Sequence, residues 1–172
     1  MKSIVIDGHD FSGKTILAKA ISETYKDSQY LRPFDNSIGD LFWWCFTKKN
    51  YEIANKLAES SIEKCKEKYE EKLIIFDRHW VTLFSILPEE YWASWYPLPI
   101  TIICWANPEV TDLRMRKAQE NELYYGYNQY YCEVYRAIAE KFGTYFIDTS
   151  YKTEEQVYFQ AIECINKELG VI

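Results

Sequence analysis

Glycine and proline are scarce in this 172-residue chain, at 6 and 5 residues, and histidine is scarcer still, at 2. With a hydrophobic share of 48%, that scarcity excludes a collagenous or disordered chain. No apolar run approaches the ~20 residues that a membrane span needs, and the opening Met1-Lys2-Ser3-Ile4-Val5-Ile6-Asp7 is too short for a signal segment. The five cysteines (Cys45, Cys65, Cys104, Cys132, Cys164) are odd in number and form no C-x-x-C pair, so the sequence predicts core thiols in a reducing, cytoplasmic setting and no zinc site. There is no Lys/Arg block, and the formal charge is −6. Binding to long nucleic acid, which needs a basic stripe to displace counterions, is therefore not expected, nor is a membrane partner.

What the chain does have is aromatic residues, 17% of the total, including 15 Tyr and 6 Trp. Its length suits a single domain, 1–172, able to bury about 70% of its unfolded surface. Short apolar runs at Ile4–Ile6, Gln29–Arg32, Leu73–Phe76, Ile100–Trp105 and Tyr145–Asp148 read as strands. Between them lie helical periodicities from the glycine-bearing loop to about Tyr25, at Tyr51–Glu71, about Tyr127–Phe142 and Glu154–Leu169, with Asn107-Pro108 as a cap and first turn of another. Strands that are apolar without alternation have both faces covered. A three-layer α/β fold with a parallel sheet flanked by helices follows.

Gly8-His9-Asp10-Phe11-Ser12-Gly13-Lys14-Thr15 satisfies G-x-x-x-x-G-K-[ST] between a predicted strand and a predicted helix. Gly8 and Gly13 let the backbone curl so that N–H groups converge on one concavity, and the following helix N-terminus adds positive potential. A polyphosphate fits there, with Lys14 on the β- and γ-phosphates and the Thr15 hydroxyl on Mg²⁺. Asp10 reads two ways: a turn-forming residue that bonds its own backbone, or a carboxylate that meets a hydroxyl or a cation. Asp77-Arg78 ends a strand at the sheet edge where open α/β folds bind ligands. Arg114, Arg116 and Lys117 share a helix with Asp112, Glu120 and Glu122, so a solvated ion-pair face competes there with a phosphate-binding one.

At Gly8-x-Asp10-x-x-Gly13-Lys14-Thr15, followed by Leu73-Ile74-Ile75-Phe76-Asp77-Arg78-His79, the sequence resembles the thymidylate kinases and their deoxynucleoside kinase relatives, P-loop kinases of small acceptors. Arg32-Pro33, Asn107-Pro108-Glu109 and Ile147-Asp148 fall in the same order as in that group. The resemblance implies a P-loop NTPase fold whose five-stranded parallel sheet has the order 2-3-1-4-5, and transfer of phosphate from ATP with Mg²⁺ to a small-molecule acceptor. It implies that Gly8, Asp10, Ser12, Gly13, Lys14 and Thr15 cradle the donor phosphates, and that Asp77 joins Thr15 at the metal. Arg78 faces the acceptor together with Asp10, Arg32 and Phe34, and Arg114 and Arg116 act from a short lid around 114–125. The loop Asp148-Thr149-Ser150-Tyr151 passes the donor's adenine. A homodimer is familiar in the group.

Three departures refine the expectation. Arg32 precedes Pro33 where deoxynucleoside kinases carry a Glu base. An arginine cannot be a base at neutral pH but binds a phosphate in two places, which shifts the expected acceptor to a nucleoside monophosphate. The central helix segment Leu57–Glu63 has no arginine, and Val81-Thr82-Leu83-Phe84-Ser85 replaces the polar stretch that reads thymine, so thymidylate itself is not expected. Transfer to a nucleoside or other hydroxyl compound, with Asp35, Asp10 or Asp77 as base, and an ATP-binding regulatory module without turnover stand as alternatives. Phe34, Trp43, Trp44 and Trp80 flank the expected acceptor side, where the resemblance implies a ring stacked on a base, but a core role is the expected one for most of them. Tyr124, Tyr125, Tyr127, Tyr130, Tyr131 and Tyr135 cover more than one helix face, which a pocket or a dimer interface would use.

Overall fold

The computed structural model describes residues 3–35, 37–118 and 125–170, the side chain of Tyr125 excepted. Five strands, β1 (Ser3–Gly8), β2 (Ser28–Leu31), β3 (Leu73–Asp77), β4 (Ile100–Trp105) and β5 (Tyr145–Asp148), pair in parallel in the order β2-β3-β1-β4-β5. Seven helices surround them: α1 (Lys14–Thr24), α2 (Ser37–Thr47), α3 (Tyr51–Lys68), α4 (Trp80–Phe84), α5 (Pro108–Lys117), α6 (Tyr125–Phe142) and α7 (Glu154–Leu169). A 3-10 helix, Glu89–Trp95, leads into β4.

Strand side chains alternate between two cores because successive residues point to opposite faces. Val5, Ile74, Phe76 and Ile103 face α2, α3, α4 and α6 through Phe42, Ala58, Ile62, Trp80 and Ile138. Ile4, Ile6, Ile75, Ile102 and Cys104 face α1 and α7 through Leu17, Ile21, Val157, Ala161 and Ile165. Full burial of each such side chain contributes about 1.5–3 kcal/mol. The helix ends follow local chemistry. Asn107 caps α5, its Oδ1 accepting from the Val110 N–H at 2.8 Å with Pro108 in the first turn, and Thr153 and Gln156 form a reciprocal capping box on α7.

Three elements escape the sequence reading: α2, α4 and the 3-10 helix. Their sequences, such as Leu41-Phe42-Trp43-Trp44-Cys45-Phe46, are aromatic runs of modest helix propensity, and α2 is stabilised by packing on α3. One aromatic alternative is decided here. Trp80 is fully buried, packed on Phe84 and Phe142, with its Nε1 donating to Thr101 Oγ1 at 2.8 Å, so it is a core residue and not part of an acceptor wall. All five cysteines are free; Cys45, Cys104 and Cys132 are buried, Cys65 and Cys164 partly so.

Candidate functional site

Strand register brings the loop-bearing strand ends to one edge of the sheet. Ile6 pairs with Asp77, Gly8 with Cys104 and Trp105 with Asp148. The phosphate loop leaves β1 at Gly8, where a Cβ would lie 2.2 Å from the Cys104 carbonyl oxygen, so only glycine allows β4 to pass this close. Gly13, with φ +88°, turns the chain into α1. Lys14, the first residue of α1, is buried and donates back to the His9 carbonyl at 3.2 Å, with Asp10 Oδ1 at 3.6 Å. Burial, joined by the nearby Arg78, lowers the Lys14 pKa below its usual value despite Asp10, Asp77 and Asp7. A polyphosphate would supply the compensating negative charge.

Thr15 and Asp77 meet directly, Oγ1 donating to Oδ2 at 2.7 Å. The same Oδ2 accepts from Tyr30 at 2.9 Å and lies 3.3 Å from Arg32 Nε. Asp77 Oδ1 is buried with no hydrogen-bond partner among the described residues, and so is Ser12 Oγ in the loop. A buried carboxylate oxygen left bare beside a threonine hydroxyl suits a hard cation, and a bare hydroxyl in an anion cradle suits a phosphate oxygen. No group of three His, Cys, Asp or Glu able to hold a metal by itself exists among the described residues. The arrangement therefore fits Mg²⁺ carried by phosphates and met by one or two protein oxygens.

Arg78, just after β3, sits at φ +77° and reaches the loop, its Nη2 2.5 Å from Asp10 Oδ1. Burial raises the Asp10 carboxyl pKa, but Lys14 and Arg78 outweigh it and hold it below the ordinary range. Arg32 pairs with Asp35 at 2.6 Å as well as with Asp77. Phe34 is buried and stacked on Phe42, ring centroids 5.5 Å apart, so its ring belongs to the core and presents no open face to a base.

Arg114 donates to the carbonyls of Phe11 and Thr149, at 2.9 and 2.7 Å, and to Thr149 Oγ1 at 3.1 Å; Thr149 Oγ1 in turn donates to the Ser12 carbonyl at 2.8 Å. The guanidinium thus ties the phosphate loop to the loop after β5, along the edge of a cavity of about 830 Å³ that also contacts Lys14, Thr15, Leu17, Lys152 and Val157. Arg116 instead pairs with Asp112 one turn earlier, at 3.1 Å and with 59% of its side chain exposed, which is the solvated ion-pair arrangement. Tyr151 stands 82% exposed and accepts from Asn107 Nδ2 at 3.0 Å. Of the lid expected around 114–125, residues 119–124, with Gln119, Glu120, Asn121, Glu122 and Tyr124, lie outside the described residues.

Two site residues escaped the sequence reading, Tyr30 and Asp7. Asp7 is wholly buried at the end of β1. Its Oδ1 accepts from the Gly8 N–H and Thr82 Oγ1, both at 2.8 Å, and its Oδ2 from the N–H groups of His79 and Thr82 at 2.9 and 3.0 Å. Burial raises its pKa, opposed by those hydrogen bonds and by Arg78. With hydrogen bonds on both oxygens, the carboxyl group fixes the loop's first glycine relative to the turn that carries Arg78. The only sequence signal was a charged residue inside an apolar strand. His9, inside the loop, is also structural: its Nε2 accepts from the Ala106 N–H at 3.1 Å and its Nδ1 lies 2.9 Å from the Asp10 carbonyl, an arrangement that fits the neutral Nδ1–H tautomer. Burial pushes its pKa down to about 4.

Known structures share this architecture. Thymidylate kinase from Candida albicans matches over 97% of this chain and 92% of its own, at 17% identity and a TM-score of 0.67. This is the thymidylate kinase-like P-loop fold. The YorR protein of Bacillus subtilis, solved with phosphorylated GDP, matches over 98% of both chains at 17% identity and TM-score 0.67. Deoxyadenosine kinase from M. mycoides, solved with dATP, matches over 95% of this chain and 99% of its own at 13% identity and TM-score 0.62. No protein-family model and no curated protein matches the sequence. No described helix is long and apolar enough to cross a membrane.

Proposed function

We propose that the protein is an ATP- and Mg²⁺-dependent small-molecule kinase that phosphorylates a nucleoside monophosphate. The observation that carries this reading is the convergence of three cations, Lys14, Arg78 and Arg32, around Asp10 and Asp77 at one sheet edge. Neighbours of the same fold named as thymidylate and deoxyadenosine kinases support it. The phosphate loop and Lys14 bind the donor phosphates, Thr15 and Asp77 hold Mg²⁺, and the Arg114-tied cavity takes the donor base. When bound, Mg²⁺ neutralises charge on the donor phosphates. Arg78 and Arg32 orient the acceptor phosphate, and transfer proceeds by positioning and electrostatic stabilisation. The protein works in the cytoplasm, and Tyr127 and Tyr130, exposed on α6, offer a surface for a homodimer.

One observation favours a nucleoside acceptor as the second reading. Arg32 is already paired with Asp35 and Asp77, and Arg78 with Asp10, so an acceptor phosphate must displace carboxylates whereas a hydroxyl would meet one. Incubation with Mg-ATP and a panel of nucleosides and nucleoside monophosphates, followed by ADP release, separates the two. Transfer to monophosphates is expected. Transfer to nucleosides alone supports the second reading, and tight ATP binding with no transfer to any acceptor defeats both.

A further inference from the structure

Strand register delivers Arg32 to the end of β3. Leu31 pairs with Phe76, so the next residues along, Arg32 and Asp77, lie side by side where the two strands end. Pro33 then turns the chain: the Asp35 N–H donates back to the Arg32 carbonyl at 3.3 Å, and Ser61 Oγ of α3 donates to the Pro33 carbonyl at 2.6 Å. The turn brings Asp35 to Arg32, and one guanidinium is shared between two carboxylates. Its Nη1 lies 2.6 Å from Asp35 Oδ2 and its Nε 3.3 Å from Asp77 Oδ2.

The three partners of Asp77 Oδ2 are not alike. Thr15 and Tyr30 donate neutral hydroxyls, at 2.7 and 2.9 Å, whereas Arg32 brings a full positive charge. Asp77 is wholly buried, so water screens little of that charge. A metal ion on the bare Oδ1 would share one carboxylate with the guanidinium, and each would weaken the other's hold. We infer that Arg32 is a latch between the two substrate sites, a positioning residue that keeps Asp77 partly neutralised until an acceptor phosphate draws the guanidinium away. Acceptor phosphate and metal then strengthen each other's binding by the same factor, as linkage requires. A nucleotide bound alone meets a weakened metal site. The inference rests on the reading of Asp77 as a metal ligand and of Arg32 as a cation for the acceptor phosphate.

The test reads metal binding directly. Mn²⁺ is titrated into the whole chain carrying one equivalent of the non-transferring ATP analogue AMP-PNP, and free Mn²⁺ is followed by electron paramagnetic resonance. Ribose 5-phosphate, the part common to ribonucleoside monophosphates, is the acceptor probe. In the unaltered chain it should tighten Mn²⁺ binding by about 5-fold or more. Arg32→Gln should tighten Mn²⁺ binding several-fold without the sugar phosphate, whose further gain should largely vanish. Asp35→Asn leaves the guanidinium wholly to Asp77 and should weaken Mn²⁺ binding. Both altered side chains reach solvent, and a purely structural role for Arg32 predicts weaker binding in Arg32→Gln, never tighter. Asp77→Asn separates the two ways of failing. If it leaves Mn²⁺ binding unchanged, the metal reading of Asp77 fails and this inference with it. If it weakens Mn²⁺ binding while Arg32→Gln does not tighten it, or while ribose 5-phosphate gives no gain or one that survives Arg32→Gln undiminished, the latch alone is overturned.

Discussion

Asp10 and Arg78, 68 positions apart in the chain, meet across the mouth of the phosphate loop with Oδ1 2.5 Å from Nη2, while the same Oδ1 lies 3.6 Å from Lys14 Nζ. One carboxylate therefore sets the spacing between Lys14 and Arg78, the cations proposed above for the donor phosphates and for the acceptor. Asp10→Asn removes the shared charge and frees both cations. On the proposed reading an acceptor phosphate has to displace Asp10 from Arg78, whereas an acceptor hydroxyl would bond to it. With charge-assisted hydrogen bonds contributing roughly 1.5–3 kcal/mol, steady-state kinetics should show kcat/KM reduced by roughly 10- to 100-fold for a nucleoside and not reduced for a monophosphate. The circular-dichroism spectrum should not change.

Tyr30 should act through Asp77. Its hydroxyl steadies Oδ2 and leaves Oδ1 for the metal, and the phenol's own pKa is raised by burial and by that carboxylate. In Tyr30→Phe the Mg²⁺ concentration for half-maximal activity should rise several-fold. Direct titration of Mn²⁺ into the ATP complex should show the same weakening, and thermal stability should move by no more than about 1 kcal/mol.

Asp7→Asn places an amide donor against N–H groups that the carboxylate now accepts. With no exposure to relieve the conflict, urea unfolding should show a loss of about 2–4 kcal/mol. Asp7→Ala should be at least as damaging, since four donors at 3.0 Å or closer lose their acceptor.

Acid should destabilise the fold before it titrates ordinary carboxylates. Burial lowers His9 from 6.5 to about 4 and His79 from 6.5 to about 3, so below pH 6.5 the unfolded chain binds protons that the folded chain refuses. Stability is full above that value and falls as pH drops toward 4, by up to about 1.4 kcal/mol per pH unit for each histidine. Denaturant midpoints taken at pH 7, 6 and 5 check the slope, and His79→Phe should flatten it by about half.

The parallel sheet was legible because β1, β3 and β4 are unbroken apolar runs, each followed by loop-forming residues; its strand order was legible only through the resemblance carried by the motifs. The phosphate loop was legible because its glycines and Lys14 are fixed by backbone geometry and charge, which leave a spacing in the sequence. Asp7 and Tyr30 were not, since each acts through a partner dozens of positions away, and a lone Asp or Tyr in a strand carries no spacing. Which aromatic residues belong to the core was legible only as a general expectation, for a related reason. Trp80 and Phe34 are close in sequence to Arg78 and Arg32 but turn into the core, and only packing decides which way a ring faces.

On the proposed reading Arg114 adds an asymmetry between the two substrates. Its guanidinium already ties the backbone carbonyls of Phe11 and Thr149 together at the edge of the cavity proposed for the donor base, so that recess is braced before a nucleotide arrives. The side proposed for the acceptor is closed by the Arg32–Asp77 and Arg78–Asp10 ion pairs, which an acceptor phosphate has to part. Donor binding should resemble the filling of a mould, with little ordering of the chain, whereas acceptor binding should carry the calorimetric mark of rearrangement and pass through the slower step.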